Sequence, residues 1–201
     1  INENKVAITL DYKVPAGNKK SFNWSDASTA KPLEDIKTLA DAVEDASGTK
    51  PTRILTSSKV LNKILACESV KKAIFGVNFD KIATRKDLNS LLESMELPQV
   101  AVYNAKYKVQ NANGKYTTKR YFPENILSMF AENALGETIY GLTAEEIELL
   151  GSNKMEEAKM VGNIFVGVEK EGDPVRRYTK AVATALPTLE NGLELGIGTI
   201  S

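Results

Sequence analysis

The chain has 201 residues and no histidine, and this absence removes several kinds of active site. Histidine is the usual general base near neutral pH and the commonest metal ligand. Ser-His-Asp and Cys-His catalytic sites are therefore excluded, and a zinc site would have to rely on carboxylates and one thiolate. Carboxylate acid–base chemistry or a lysine Schiff base stays open. From the sequence we assign no catalytic, cofactor-binding or metal-binding residue.

Cysteine, net charge and long apolar runs are also scarce. The single cysteine, Cys67, excludes an internal disulfide, and we interpret it as a small buried or half-buried residue. Twenty-six basic residues balance 26 acidic ones, so charge gives no reason to expect nucleic acid or an anionic membrane as the partner. No apolar run approaches the roughly 20 residues that span a bilayer, and no secretory signal is visible.

The middle of the chain, residues 97–141, predicts three strands over residues 98–109, 115–122 and 125–131. Residues 111–114 end in Asn-Gly, a pair that tolerates two successive positive φ angles in a tight hairpin turn. Pro123 ends the second strand, because proline cannot donate a ladder hydrogen bond. The hairpin carries a set of basic residues without a nucleic-acid-binding motif, so we predict a polar rim: Lys106, Lys108, Lys115, Lys119 and Arg120.

Helical spacing of apolar residues predicts four helices in the first half. The longest covers residues 32–47, with Pro32 in its first turn and Gly48 as its stop. A strand over residues 51–56 leads to a helix capped by Ser57 or Ser58, and a short helix follows over residues 69–75. Thr84 then begins a helix with Asp87 as a capping-box partner. Its predicted core face is Leu88, Leu91, Leu92 and Met95.

The two ends of the chain predict further strands. Apolar and polar residues alternate over residues 6–14, which predicts a strand with one apolar face. In the second half of the chain, Thr143 is predicted as a helix N-cap with Glu146 at N3. Residues 163–169 and 175–186 are predicted to pair as a hairpin, and residues 193–200 form a last strand. Cross-strand charge pairing is expected in that hairpin, between Arg176, Arg177 and Lys180 and the acids Glu169, Glu171 and Asp173. The segment 155–162 could be helix or loop. Together the elements predict an α+β protein with helices on a mixed sheet.

Several ordered sequence pieces resemble the lambda-type tailed-phage major capsid proteins, the major capsid protein E family. The resemblance spans most of the chain, although Leu61 stands where the family often has an aromatic residue. Its pieces are Trp24-Ser25-Asp26 with residues 31–36, residues 51–60 with Ser69-Val70, the hairpin with Tyr103, Tyr107 and Gly114, residues 135–141 with Glu145-Glu146, Asp173-Pro174, and Ala185-Leu186-Pro187.

The resemblance implies the Hong Kong 97-type phage capsid fold. A peripheral domain with a long spine helix and a β-hairpin would comprise residues 1–50 and 144–186, with the spine helix at about 32–47. A mixed-sheet axial domain would comprise residues 51–143 and 187–201. The family's N-terminal arm would lie before Ile1, so the resemblance implies that this arm is absent here.

The function implied by the resemblance is structural, and no enzyme activity or cofactor is expected. The subunit would assemble with copies of itself into pentamers and hexamers of an icosahedral shell, with scaffold, portal or decoration proteins as further partners. It would contact packaged DNA only non-specifically and would not bind a membrane. The expected location is the virion capsid, assembled in the host bacterial cytoplasm. Two alternatives stay open, namely a binding or shell module of related fold and an enzyme that uses carboxylates or a lysine.

Overall fold

A computed structural model describes residues 11–78, 80–132, 135–150 and 157–201, and every structural statement below concerns these residues. The chain divides into two compact units. Unit 1 comprises Ile1–Leu135 and Asn191–Ser201, and unit 2 comprises Gly136–Glu190. No helix of the described segments is long and apolar enough to cross a membrane.

The elements follow one another as a mixture of helices and short strands. In chain order they are β1 (Lys19–Phe22), α1 (Pro32–Ser47), β2 (Arg53–Thr56), α2 (Ser58–Ala66), α3 (Glu68–Phe75), α4 (Arg85–Ser94), β3 (Gln99–Val102), β4 (Lys106–Gln110), β5 (Tyr116–Arg120), β6 (Ile126–Phe130), β7 (Thr138–Gly141), α5 (Ala144–Leu149), β8 (Glu157–Val161), β9 (Ile164–Glu171), β10 (Arg176–Val182), β11 (Thr184–Pro187) and β12 (Gly196–Ile200).

Unit 1 is built on a five-stranded mixed sheet with the strand order β1-β12-β6-β2-β3. Strands β2 and β3 are parallel neighbours, with Ile54 opposite Val100, and helices α2 to α4 connect them. The predicted strand–helix–strand alternation is therefore confirmed. The last strand, β12, lies between β1, to which it is parallel, and β6, to which it is antiparallel.

Helix α1 has the bounds that its sequence predicts. Gly48 adopts a left-handed φ of 71°, and its N–H donates to the Glu44 carbonyl at 2.7 Å. The apolar face of the helix packs close to β12 at a glycine. A Cβ built on Gly196 would lie 2.7 Å from Val43 Cγ2 and 3.3 Å from Leu39 Cγ. Only glycine at this position lets the helix come so near the sheet.

The predicted caps of the next helices are also present. Ser57 caps α2 by accepting from the Val60 N–H, and it donates its hydroxyl hydrogen to the Glu124 carbonyl at 2.6 Å. Thr84 and Asp87 form a reciprocal capping box at α4. The predicted core face of α4 is wrong at Met95, which lies just after the helix with its side chain exposed. The chain turns away there, because Glu96 adopts a φ of 54°.

The stretch predicted as a single strand over residues 98–109 is two strands in two sheets. Strand β3 joins the five-stranded sheet, whereas β4 pairs only with β5. The Asn104 side chain accepts from the Ser58 N–H at 3.1 Å, in the segment that separates them. The hairpin prediction is confirmed, but the turn differs. Of its residues, only Gly114 has a positive φ, at 77°.

The described part of unit 2 contains two small sheets and one short helix. Strand β9 pairs with β8 and β10 in a three-stranded antiparallel sheet, and β7 pairs with β11. The predicted strand over residues 175–186 is therefore wrong, because it is divided into β10 and β11, which join different sheets. Helix α5 begins where predicted, and the Thr143 hydroxyl accepts from the Glu146 N–H at 3.0 Å.

Three segments differ at their ends from the sequence-based predictions or extend beyond the described residues. Of the strand predicted over residues 6–14, residues 6–10 lie outside the described residues, and residues 11–14 have no regular structure. The undecided segment 155–162 contains β8, and its residues 155 and 156 lie outside the described part. The last strand begins at Gly196 instead of residue 193, because Gly192–Glu194 is a 3₁₀ turn.

Candidate functional site

Cys67 is a structural residue in the core of unit 1. Its side chain is fully buried, and the Sγ atom lies 3.1 Å from the Lys63 carbonyl one turn earlier. Burial raises the pKa of the Cys67 thiol, which disfavours the reactive thiolate. The sequence-based interpretation of Cys67 as a small buried residue is confirmed.

Carboxyl groups with a lowered pKa are held by local structure. The Ser28 hydroxyl and N–H, followed by Thr29, lower the pKa of Asp26 in the turn before α1. Hydrogen bonds from Thr84 lower the pKa of Asp87 in the capping box. Lys180 lowers the pKa of Glu145, and the two charged groups lie 2.6 Å apart. These groups fix turns and elements and do not converge on one cleft.

A surface groove beside α4 has a volume of about 580 Å³. Among its described lining residues, Glu93 is the single carboxylate. Asn89, which also lines the groove, uses its amide to bind the backbone of Val100. It accepts from the Val100 N–H at 2.9 Å and donates to the Val100 carbonyl at 3.2 Å. The groove is therefore part of the packing between α4 and β3. Across the described segments, no group of three His, Cys, Asp or Glu residues could hold a metal ion.

The tryptophan motif ties the start of α1 to the rest of unit 1. Trp24 is buried, stacks on Phe22 at 6.1 Å between ring centroids, and donates from Nε1 to Asp35 Oδ2 at 2.7 Å. The Ser69 hydroxyl donates to the Ala30 carbonyl at 2.8 Å, which joins the same loop to α3. Residues from motifs that are far apart in the sequence therefore contact one another and position α1.

The glycine-bracketed segment and the C-terminal motif form one two-stranded sheet in unit 2. Tyr140 lies opposite Ala185 in the β7–β11 pair. A Cβ on Gly136 would lie 2.1 Å from the Thr188 carbonyl oxygen, so the two chain segments could not come this close with any other residue. The Asp173-Pro174 motif lies in the turn between β9 and β10, and its peptide bond is cis.

Charge pairing in the β9–β10 hairpin is only partly as predicted. Arg176 lies directly opposite Glu171, which agrees with the expectation. Arg177 instead lies opposite Lys170, and Lys180 pairs with Glu145 of α5 at 2.6 Å. The sequence could not identify Glu145 as the partner of Lys180, because Glu145 precedes the hairpin and belongs to another element.

Unit 2 exposes many large apolar side chains for its size, although Val77 and Ile82 of unit 1 are exposed as well, and the sequence patterns did not identify this exposure. Leu142 and Ile147 are 69% and 66% exposed. The described part of helix α5 buries none of its own residues. Other large apolar side chains of the unit are also exposed: Ile139, Tyr140, Leu150, Val161, Ile164, Val175, Tyr178 and Leu186. Contiguous apolar surface marks sites where another molecule binds, so these side chains make unit 2 a candidate interaction surface.

The basic residues of the β4–β5 hairpin lie where the sequence places them. Lys106, Lys108, Lys115 and Lys119 are exposed, and Arg120 pairs with Glu124 at 2.6 Å. On the face opposite Lys106 and Lys108, the rings of Tyr107 and Tyr121 are in contact, with centroids 4.7 Å apart, and Lys119 lies on this same face opposite Tyr107.

Two solved structures resemble this chain over most of its length. One was provisionally identified as the capsid protein of an Escherichia coli CFT073 prophage, and it aligns with a TM-score of 0.64 and 18% identity. The other is a phage-related protein from Bordetella bronchiseptica RB50, with a TM-score of 0.59 and 16% identity. The alignments cover 95% and 93% of this chain but 55% and 57% of those proteins, so the chain spans little more than half their length. At these identities the similarity concerns the mixed α+β fold alone.

No curated protein matches the chain at a significant level. A family model does match it, and the match covers residues 1–192, which is nearly the whole sequence. The matching model describes the phage major capsid protein E family. The chain therefore belongs to the phage major capsid protein E family.

Proposed function

We propose that the protein containing this chain is the major capsid subunit of a tailed phage or prophage. In this role it assembles with copies of itself into pentamers and hexamers, and these form an icosahedral shell around DNA. The family match over residues 1–192 carries the proposal. The subunit acts through its surfaces and carries out no catalysis.

The surface of unit 2 supports a role in self-association. Phe165 is its one large, fully buried side chain among the described residues, whereas Leu142, Ile147 and Val175 are largely exposed. A unit with so little apolar burial gains stability when another surface covers it, because burying apolar area is favourable by roughly 25 cal/mol per Å². Other copies of the subunit are the covering partner in a shell.

The domain organisation proposed for this subunit is of the Hong Kong 97 type. Residues 1–50 and 144–186 form its peripheral domain, with α1 as the spine helix, and residues 51–143 and 187–201 form its axial domain. Assembly takes place in the host cytoplasm, and the mature location is the virion capsid. Scaffold, portal and decoration proteins are further partners, while packaged DNA is contacted without sequence preference.

Size-exclusion chromatography with light scattering, followed by negative-stain microscopy, tests the proposal on the complete protein that contains this chain. Rings of five or six subunits, or closed shells, are expected. Ile147→Ser should weaken assembly because it removes an exposed apolar contact. Glu148→Ser is the matched control on the same helix and should assemble like the parent protein. A strict monomer at high protein concentration would contradict the proposal.

A further inference from the structure

The β4–β5 hairpin carries charges of one sign only. Residues 104–123, here named the basic hairpin, contain five basic residues and no acidic one, although the whole chain has equal numbers of both. Strands β4 and β5 form a two-stranded sheet of their own. The rest of the sequence therefore carries a matching excess of negative charge.

Positive charges crowd together on one face of the basic hairpin. Lys106 lies directly opposite Arg120, and Lys108 is two residues further along the same strand and face. Like charges placed opposite each other destabilise an antiparallel pair. Glu124 lies 2.6 Å from Arg120 and offsets the positive charge of that residue. Among the described residues, no carboxylate forms an ion pair within 4.0 Å of Lys106 or Lys108.

The other face of the hairpin has the composition of a protein-binding surface. Tyr107 and Tyr121 pack against each other there with both rings partly exposed, and Val109 lies on the same face as Tyr107. Tyrosine is enriched where proteins bind one another, because its ring provides apolar area and its hydroxyl a hydrogen bond. The hairpin therefore combines a face that carries Lys106, Lys108 and Arg120 with a face that carries the tyrosine pair and Lys119.

Helix α1 shows the opposite charge excess. It contains five acidic residues and one basic residue. Asp41, Glu44 and Asp45 are exposed and lie three and four residues apart, so their carboxylates are neighbours on the helix surface. This set is named the acidic face of α1. In the described part of the chain, no lysine or arginine forms an ion pair within 4.0 Å of these three residues.

The acidic face is unfavourable for the isolated subunit in two ways. Like charges at helical spacing repel each other. The carboxylates also lie in the last two turns of α1, where the helix dipole favours cations, and the last turn contains no basic residue. Repulsion of the opposite sign acts on the basic hairpin among Lys106, Lys108 and Arg120, and Glu124 offsets the charge of Arg120 alone. Contact between the two surfaces would relieve both.

We infer that the basic hairpin of one subunit docks on the acidic face of α1 of a neighbouring copy. The inference rests on the proposed function, because it requires copies of the chain to associate. Such a contact joins two different surfaces, so each subunit offers one of each, and successive contacts can close a ring. Charge complementarity sets the orientation and speeds association, and the two tyrosines add apolar burial.

Charge reversal in the complete protein tests the contact. Lys106→Glu with Lys108→Glu, and separately Asp41→Lys with Glu44→Lys, should each raise the protein concentration needed for assembly about tenfold at low salt. Combining the two double substitutions should restore assembly to within about threefold of the parent protein, because the attraction is re-formed with reversed signs. Lys81→Glu with Lys86→Glu is the control for net charge and should assemble normally.

A second experiment uses only the parent protein, so its result does not depend on whether the variants fold. Assemblies are formed from a mixture of isotopically heavy and light parent protein and treated with a zero-length amine–carboxyl cross-linker. Mass spectrometry should then find mixed-isotope links between Lys106 or Lys108 and the carboxylates of Asp41, Glu44 or Asp45. Links to other carboxylates alone would contradict the contact.

The outcomes separate this inference from the proposed function. Rings or shells that tolerate both charge reversals would overturn the hairpin–α1 contact and leave the capsid role standing. Loss of DNA binding with unchanged assembly, in the hairpin variant, would assign the basic hairpin to nucleic acid instead. A parent protein that never associates would overturn both.

Discussion

The two units of this chain differ sharply in how much of their apolar surface they bury. Unit 1 has a continuous core that joins α1 to α4 with the five-stranded sheet, and its centre includes Leu39, Ile54 and Leu127. Unit 2 has one large, fully buried side chain among its described residues, Phe165, and an extensive exposed apolar surface. Because burial of apolar area is the main favourable contribution to folding, we expect unit 1 to be stable through its own core and unit 2 to gain stability when partners cover it.

The largest expected effect is on the core-poor unit. Phe165→Ala removes its principal buried side chain and should cost about 3–5 kcal/mol, which is enough to unfold unit 2 in the isolated subunit. Hydrogen exchange should show loss of amide protection in β8, β9 and β10, with protection in the unit 1 sheet unchanged. Equal loss of protection in both units would show that they fold as one.

A core substitution in unit 1 should be much more destabilising than a substitution at an exposed apolar residue of unit 2. Leu39→Ala should cost about 2–5 kcal/mol, because the residue is fully buried against β12. Leu142→Ala in unit 2 is the control, and a change within about 0.5 kcal/mol is expected, since its side chain is 69% exposed. Denaturant unfolding followed by circular dichroism measures both. A larger cost for Leu142→Ala would contradict the difference in burial.

Two glycines of unit 2 provide a finer comparison. Gly136→Ala should cost about 1–3 kcal/mol, because its Cβ would lie 2.1 Å from the backbone oxygen of Thr188 and force the chains apart. Gly141→Ala should be close to neutral, since its nearest neighbour is the Thr184 methyl at 3.5 Å. Thermal unfolding of the two variants tests this, and similar melting temperatures would be inconsistent with the close approach at Gly136.

The smallest effect concerns the capping box in unit 1. Thr84→Ala should cost about 1 kcal/mol, because the N–H of Asp87 loses its acceptor. The pKa of Asp87 should rise toward its ordinary 3.8, since the Thr84 hydroxyl is the largest cause of its lowering. A folded-state pKa below 3.8 means that this stabilisation is present above pH 3.8 and is lost as the pH falls through the folded value. NMR titration of the Asp87 carboxyl measures the shift, with Ser94→Ala as a control outside the box.

Local signals in the sequence predict the helices of unit 1 well. Pro32 and Gly48 bound α1, and Ser57 and Thr84 cap the next helices, because each acts on hydrogen bonds within a few residues. The predicted α+β class and family are confirmed by the comparisons with known proteins. The Hong Kong 97 details and the domain bounds stay predictions.

Long-range partners could not be predicted from the sequence. The strand break in residues 175–186 is set by which neighbours each half meets, since β10 pairs with β9 and β11 pairs with β7. Lys180 likewise pairs with Glu145, an acid 35 positions earlier in the chain. The exposure of Ile147 could not be predicted either. Apolar residues at helical spacing indicate a face that becomes covered, but they do not show whether the covering surface belongs to the same chain or to another.

Hydrogen exchange of unit 2 before and after assembly tests whether neighbouring copies complete this unit. Amides of β7, α5 and the three-stranded sheet should exchange faster in the dissociated subunit than in rings or shells, where they become strongly protected. Amides of the unit 1 sheet should be protected in both states. Unit 2 amides that are equally protected with and without assembly would contradict the claim that neighbouring copies complete this unit.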